Sequence, residues 1–339
     1  MELPTPSLEE YRRLYEAAVV FKKVAPWEWM FEDEVFGVRN PETGQIGYVS
    51  IMGTSGEHLA MALYLGSEGL DGFWRMHRGE GLQDPHFLLE IPQLQASFED
   101  RNMLDAKDRK VIKALGLKFR GRMAWPMFRS YVPGCMPYFV TPEEARFLAV
   151  TLEQMLDVIG RLHDDPDLLE APEEDQYLVR VQTEDGWVDE WLEPEPITLR
   201  PLPKVDTERL TTLRQQLDRK KFILEADLFV MPSVIQEKDD PRPLLPYVLM
   251  IAEAQSGMIV GNELAVARPS LDAVWAKAQT GLLDTLARLQ AIPQQIAVRD
   301  ERLHNLLVPI AAGLGIQLLI SHRLPMLDEA RAAFEDWMG

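Results

Sequence analysis

A chain of 339 residues exceeds what one hydrophobic core usually organises, so two domains are expected. Its 46% hydrophobic and 26% charged residues exclude a disordered polymer. Acidic side chains outnumber basic ones by 54 to 35, and a net charge of -19 repels nucleic-acid phosphates and anionic lipid unless a local basic patch overrides it.

Ser7-Leu8-Glu9-Glu10 is a capping box, and Tyr11, Leu14, Tyr15, Ala18 and Val19 recur at helical spacing. A first helix is predicted to about Val24, ended by Pro26. Strands are predicted at Val35–Arg39, Ile46–Met52 and Leu59–Leu65, joined by the turn compositions Asn40-Pro41-Glu42-Thr43-Gly44 and Gly53-Thr54-Ser55-Gly56. This reads as an antiparallel meander with packed helices. Leu94–Phe98 and Met123–Tyr131 read as further strands, and Asp105–Leu115 as a helix stopped by Gly116. Thr141-Pro142-Glu143-Glu144 combines an N-cap, a first-turn proline and a capping glutamate, opening a helix to near Leu162.

From Asp164 to Pro196 thirteen carboxylates stand against one arginine, Arg180, a composition that reads as a solvated face. Two short strands, Tyr177–Gln182 and Trp187–Trp191, flank the turn at Asp185-Gly186. Pro194, Pro196, Pro201 and Pro203 then mark a linker, which divides the chain into expected domains 1–198 and 199–339.

The second half begins with a predicted helix, Thr207–Lys220, whose end carries Arg219-Lys220-Lys221, the densest basic run, set to complement that helix's own carbonyl end. Strands follow at Ile223–Met231, Tyr247–Ala252 and Met258–Ala265, the last two joined by a hairpin turn at Glu253–Gly257. Ser270 caps a helix, Gln295–Val298 is a strand, and Asp300 caps the next helix, up to Gly313. Ile316–Ile320 is a strand and Asp328–Trp337 a final helix. The succession is β-β-β-α-β-α-β-α with a mixed sheet, and the chain as a whole is of the α+β class.

With Cys135 alone, no intrachain disulfide can form and no cysteine zinc cage exists. The six histidines, His58, His77, His86, His163, His304 and His322, show no zinc-ligand spacing. Cys135 reads as a packed thiol, and Trp27, Trp29, Phe31 and Phe36 as core. Gly53-Thr54-Ser55-Gly56 lacks the endings of a phosphate loop or nucleophile elbow. Gly66-Ser67-Glu68-Gly69 also follows a strand, but a glycine pair opening a helix is a weak signal of a site on its own. The opening Met1-Glu2-Leu3-Pro4 does not read as a secretory signal, and no apolar run reaches the length of a membrane span. A cytoplasmic protein without membrane contact is expected.

Two resemblances can be placed on particular residues. Trp27-x-Trp29, the run from Val35 to Gly44, and Tyr48-Val49-Ser50-Ile51-Met52-Gly53 resemble a family of uncharacterised bacterial two-domain proteins. So do Tyr64–Gly69, Pro133–Tyr138, Gln255-Ser256-Gly257 and Pro293-Gln294-Gln295-Ile296, so the likeness spans most of the chain. It implies no particular activity.

The element order of the second half resembles ribonuclease H-like domains, including integrase cores. That resemblance implies an aspartate on the first strand, a second after the fourth strand and an acid on the last helix. Here Asp227, Asp300 and Glu335 (or Glu329) stand at those places. Three converging carboxylates would hold paired magnesium or manganese ions that activate water. Glu301-Arg302 replace the asparagine and glycine expected after the second aspartate, and no basic groove accompanies the acids.

Two readings follow. The preferred one is a non-catalytic interaction or regulatory protein without cofactor, its partner being another protein or a second copy, and not a nucleic acid. The alternative is a divergent metal-dependent nuclease or phosphotransferase.

Overall fold

The computed structural model describes residues 3–80, 87–197, 202–231, 233–236 and 241–338, with only the backbone for 334–338. The chain divides into two compact units, residues 1–198 with 238–242, and residues 199–237 with 243–339.

The first unit is built on a seven-stranded sheet. Its strands are β1 (Phe36–Arg39), β2 (Ile46–Met52), β3 (Leu59–Leu65), β4 (Gln93–Glu99), β5 (Trp125–Tyr131), β6 (Tyr177–Thr183) and β7 (Gly186–Leu192). They lie in the order β5-β4-β3-β2-β1-β6-β7. From β1 to β5 every pairing is antiparallel, so the predicted meander is present and two strands longer. β6 returns parallel to β1 and then turns into the β7 hairpin.

The helices α1 (Leu8–Val24) and α4 (Pro142–Asp164) pack together against one sheet face. Val49 and Ile51 of β2, Met61 and Leu63 of β3 and Leu94, Ala96 and Phe98 of β4 enter that core with Phe21, Leu148, Leu152 and Met155. Alternate strand residues point to opposite faces. Tyr48, Ala62 and Tyr64 therefore form a second cluster with Leu70 and Phe73 on the other side. Both α1 and α4 start with the capping boxes predicted for them, at Ser7 and Thr141.

Leu70 and Phe73 belong to α2 (Gly66–His77), a helix whose glycines gave no clear sequence signal. Glycine is a poor helix former, but here it permits close approach. A Cβ at Gly69 would stand 2.8 Å from the Pro92 carbonyl oxygen, and one at Gly72 would stand 2.8 Å from Ile91. The helix predicted over Asp105–Leu115 is the short α3 (Ala106–Ala114), with Asp105 standing as its N-cap.

The second unit contains α5 (Thr207–Gln216), β8 (Asp218–Val230), β9 (Pro246–Glu253), β10 (Ile259–Val266), α6 (Leu271–Leu289), β11 (Ala291–Val298), α7 (Glu301–Leu314), β12 (Gln317–Ile320) and α8 (Pro325–Met338). Its five strands run β10-β9-β8-β11-β12. β8, β9 and β10 are antiparallel, whereas β11 pairs parallel with both β8 and β12. The mixed sheet is as predicted, and in it the strand holding Gln295–Val298 runs parallel to the strand holding Asp227.

Several boundaries are corrected, β11 beginning at Ala291 rather than Gln295 and α8 at Pro325 rather than Asp328. The helix predicted over Thr207–Lys220 stops at Gln216, because Leu217 is extended and Arg219 and Lys220 already pair with Ile292 and Pro293 of β11. Tertiary strand pairing overrides local helix propensity there. Arg219 does serve a helix end, but that of α7. Its guanidinium donates to the Leu314 carbonyl and, at 2.7 Å, to that of Gly315.

Candidate functional site

The sheet of the second unit has two unlike faces. Leu224 and Ala226 of β8, Leu249 and Ile251 of β9, and Ile296 and Val298 of β11 face one large core with α6 and α7. The residues between them face the other way. On β8 these are Glu225, Asp227 and Phe229, two carboxylates and a ring set on one line by the two-residue period. α8 lies on this side, touching β8 and β9.

Glu225 is buried, and its Oε2 accepts from the backbone N–H groups of Met326 at 3.0 Å and Leu327 at 3.1 Å. These are first-turn donors of α8 that have no partner within the helix. A carboxylate from another element thus acts as a cap, with its charge at the positive end of the helix dipole.

Asp227 is 1% exposed. Its Oδ2 accepts from Arg299 Nε at 2.7 Å and from an Arg331 terminal nitrogen at 3.3 Å. Arg299 also donates to Asp328 at 2.5 Å and to the His322 carbonyl at 3.0 Å. Burial works against its charge, but the bonds and charges of Asp227 and Asp328 prevail and hold its pKa above the ordinary arginine value. Arg331 lies 4.3 Å over the Phe229 ring. Two guanidinium groups and two carboxylates therefore form one network joining β8, the end of β11 and α8.

Asp300 caps α7, its Oδ1 accepting from the Leu303 N–H at 2.7 Å. Close packing around the carboxyl pushes its pKa up; the Leu303 amide opposes this and the charge of Asp227 adds to it. The residue keeps an outer side open to water, which limits that push. Glu335 and Glu329 both lie on α8, Glu329 exposed and the side chain of Glu335 outside the described residues.

Of the predicted acids, Asp227 and Asp300 are thus within electrostatic reach of each other, but each already has a partner. Among the described residues, no group of three or more His, Cys, Asp or Glu side chains is arranged to hold a metal ion. A carboxylate bound by two arginines would have to give them up to ligate a cation. Glu225, Arg299, Asp328 and Arg331 went unseen in the sequence. The alternation Leu224-Glu225-Ala226-Asp227-Leu228 could have found Glu225, but the arginines come from distant segments and leave no local signal.

Cys135 is buried, as expected of a packed thiol. Trp27 and Phe36 are core residues, whereas Trp29 and Phe31 are exposed, Trp29 meeting His163 with ring centres 5.3 Å apart. His86 lies outside the described residues. No helix among the described residues is long and apolar enough to cross a membrane.

The model of a second domain of unknown function, DUF6930, matches residues 209–335. No curated protein matches the chain. Residues 11–180 match the family model of the domain of unknown function DUF7309. That match covers half of the sequence, and the chain belongs to the DUF7309 family.

Proposed function

We propose that this is a non-catalytic interaction or regulatory protein of the cytoplasm, acting on another protein or a second copy of itself. Its second unit is read as a ribonuclease H-like domain whose carboxylates hold a helix rather than a metal. The observation that carries this reading is the pairing of Asp227 with Arg299 and Arg331, at 2.7 and 3.3 Å. A net charge of -19 also opposes the approach of a phosphate backbone. Glu225 is engaged in capping α8 and Asp300 in capping α7, so the nearby acids have structural work sufficient to account for them.

Calorimetry with manganese followed by a nuclease assay at low salt tests the reading. No metal binding in the micromolar range and no cleavage of DNA or RNA are expected. Metal binding together with cleavage that Asp227→Asn abolishes would overturn it in favour of the metal-dependent nuclease.

A further inference from the structure

We infer that α8 is a releasable strap, held to the second unit by an ionic clasp and able to detach while the rest of that unit stays folded. Among the described residues, the apolar seat of α8 consists of Ala252, Leu324 and Leu327, with Met250, Ala297 and Met326 at its margin. The opposite face of the same sheet buries twenty apolar side chains in one cluster. Apolar burial stabilises in proportion to area, so among the described side chains the two faces differ several-fold in that contribution.

Polar contacts supply the rest of the attachment. Glu225 caps the first turn of α8, Arg331 reaches Asp227, and Asp328 accepts from Arg299. Arg299 is the hub, since it also holds the His322 carbonyl in the connection that leads into α8. The network is anchored inside, where the Asp227 side chain is 2% exposed, but its outer members are open, Arg331 at 29% and Asp328 at 47%. Dissolved ions reach such a network, as they cannot reach a closed core. Release would uncover a strip of β8 and β9 bearing Glu225, Asp227, Phe229, Met250 and Ala252, so the strap governs access to that face. A segment held in this way opens locally at a lower free energy than the unit as a whole.

Hydrogen exchange on the full chain, followed by mass spectrometry, tests this. Exchange over 325–333 is compared with that over 271–289 in α6, at about 0.05 M and about 1 M sodium chloride, where the screening length falls to about 3 Å. The α8 segment should exchange about tenfold faster in the higher salt, with α6 unchanged. Arg331→Gln, which alters a partly exposed side chain, should produce the same release in low salt. Leu327→Ala is the apolar comparison. If Leu327→Ala frees α8 while neither salt nor Arg331→Gln does so, the attachment is apolar and the inference fails. It fails equally if α8 and α6 always exchange together.

Discussion

Arg129 on β5 grips Asp108 on α3 with both terminal nitrogens, at 3.1 and 2.7 Å, and both side chains are less than a tenth exposed. The guanidinium also meets Asp105 at 2.9 Å and lies 4.7 Å over the Phe139 ring. Asp108 completes the capping box of α3 by accepting from the Asp105 N–H. One ion pair therefore ties a sheet edge strand to the start of a helix. A buried pair adds little over an apolar replacement, but removing one partner strands the other charge. Asp108→Ala leaves Arg129 only the exposed Asp105, and should destabilise the protein by about 3 kcal/mol in denaturant unfolding. A loss below about 1 kcal/mol would show that water reaches Arg129.

Asp189 of β7 gives the clearest pH dependence. It accepts from Arg161 of α4 at 2.5 Å and from Arg180 of β6 at 2.7 Å. Burial raises its pKa, but the two arginines outweigh burial and hold it below the ordinary aspartate value. A depressed pKa contributes stability above the unfolded value, near 3.9, and that contribution is lost as pH falls through the folded value. Asp189→Asn should cost about 1 kcal/mol at neutral pH, discounted for a side chain partly open to water. The gap between variant and parent should close on acidification; a gap that stays constant below about pH 3 would exclude this account.

Gly69 sets close packing against helix propensity. On an open helix Gly→Ala gains about 1 kcal/mol. Here the added carbon would stand 2.8 Å from the Pro92 carbonyl oxygen and 2.8 Å from the Tyr64 carbonyl carbon, both backbone atoms. Gly69→Ala should therefore lower the melting temperature, with a net cost of about 1–3 kcal/mol. Gly160, in α4 with nothing near its missing Cβ, is the control, and Gly160→Ala should be neutral or stabilising.

Each unit carries its own sheet and its own core cluster, and the proposed boundary at 198/199 is open to a direct test. Limited proteolysis should cut between 193 and 204, beyond the last strand of the first sheet, and leave two folded pieces. A single cooperative unfolding transition without any cut there would remove the proposal.

Local chemistry was legible wherever one segment decides its own structure. The capping residues Ser7, Thr141, Ser270 and Asp300 each accept from a backbone N–H two or three residues ahead, and such a bond needs nothing distant. Likewise Ile46–Met52 and Leu59–Leu65 are strands with the bounds that their apolar runs predict. The acidic run also behaves as its composition implied, with most of its carboxylates exposed, although Asp189 is engaged by two arginines.

The sequence by itself determined the α+β class and nearly every element, because capping, turn chemistry and apolar period act within a few residues. Tertiary structure alone decided three things. It made Asp218–Lys221 the start of β8, since pairing with β11 outweighs local propensity. It made α2 a helix, since Gly69 and Gly72 lie where the Pro92 backbone and the Ile91 side chain leave no room for a Cβ. And it gave Asp227 to two arginines, 72 and 104 positions away along the chain. A carboxylate looks the same in a sequence whether it waits for a metal or is already paired, because the charge that decides between them arrives only with the fold.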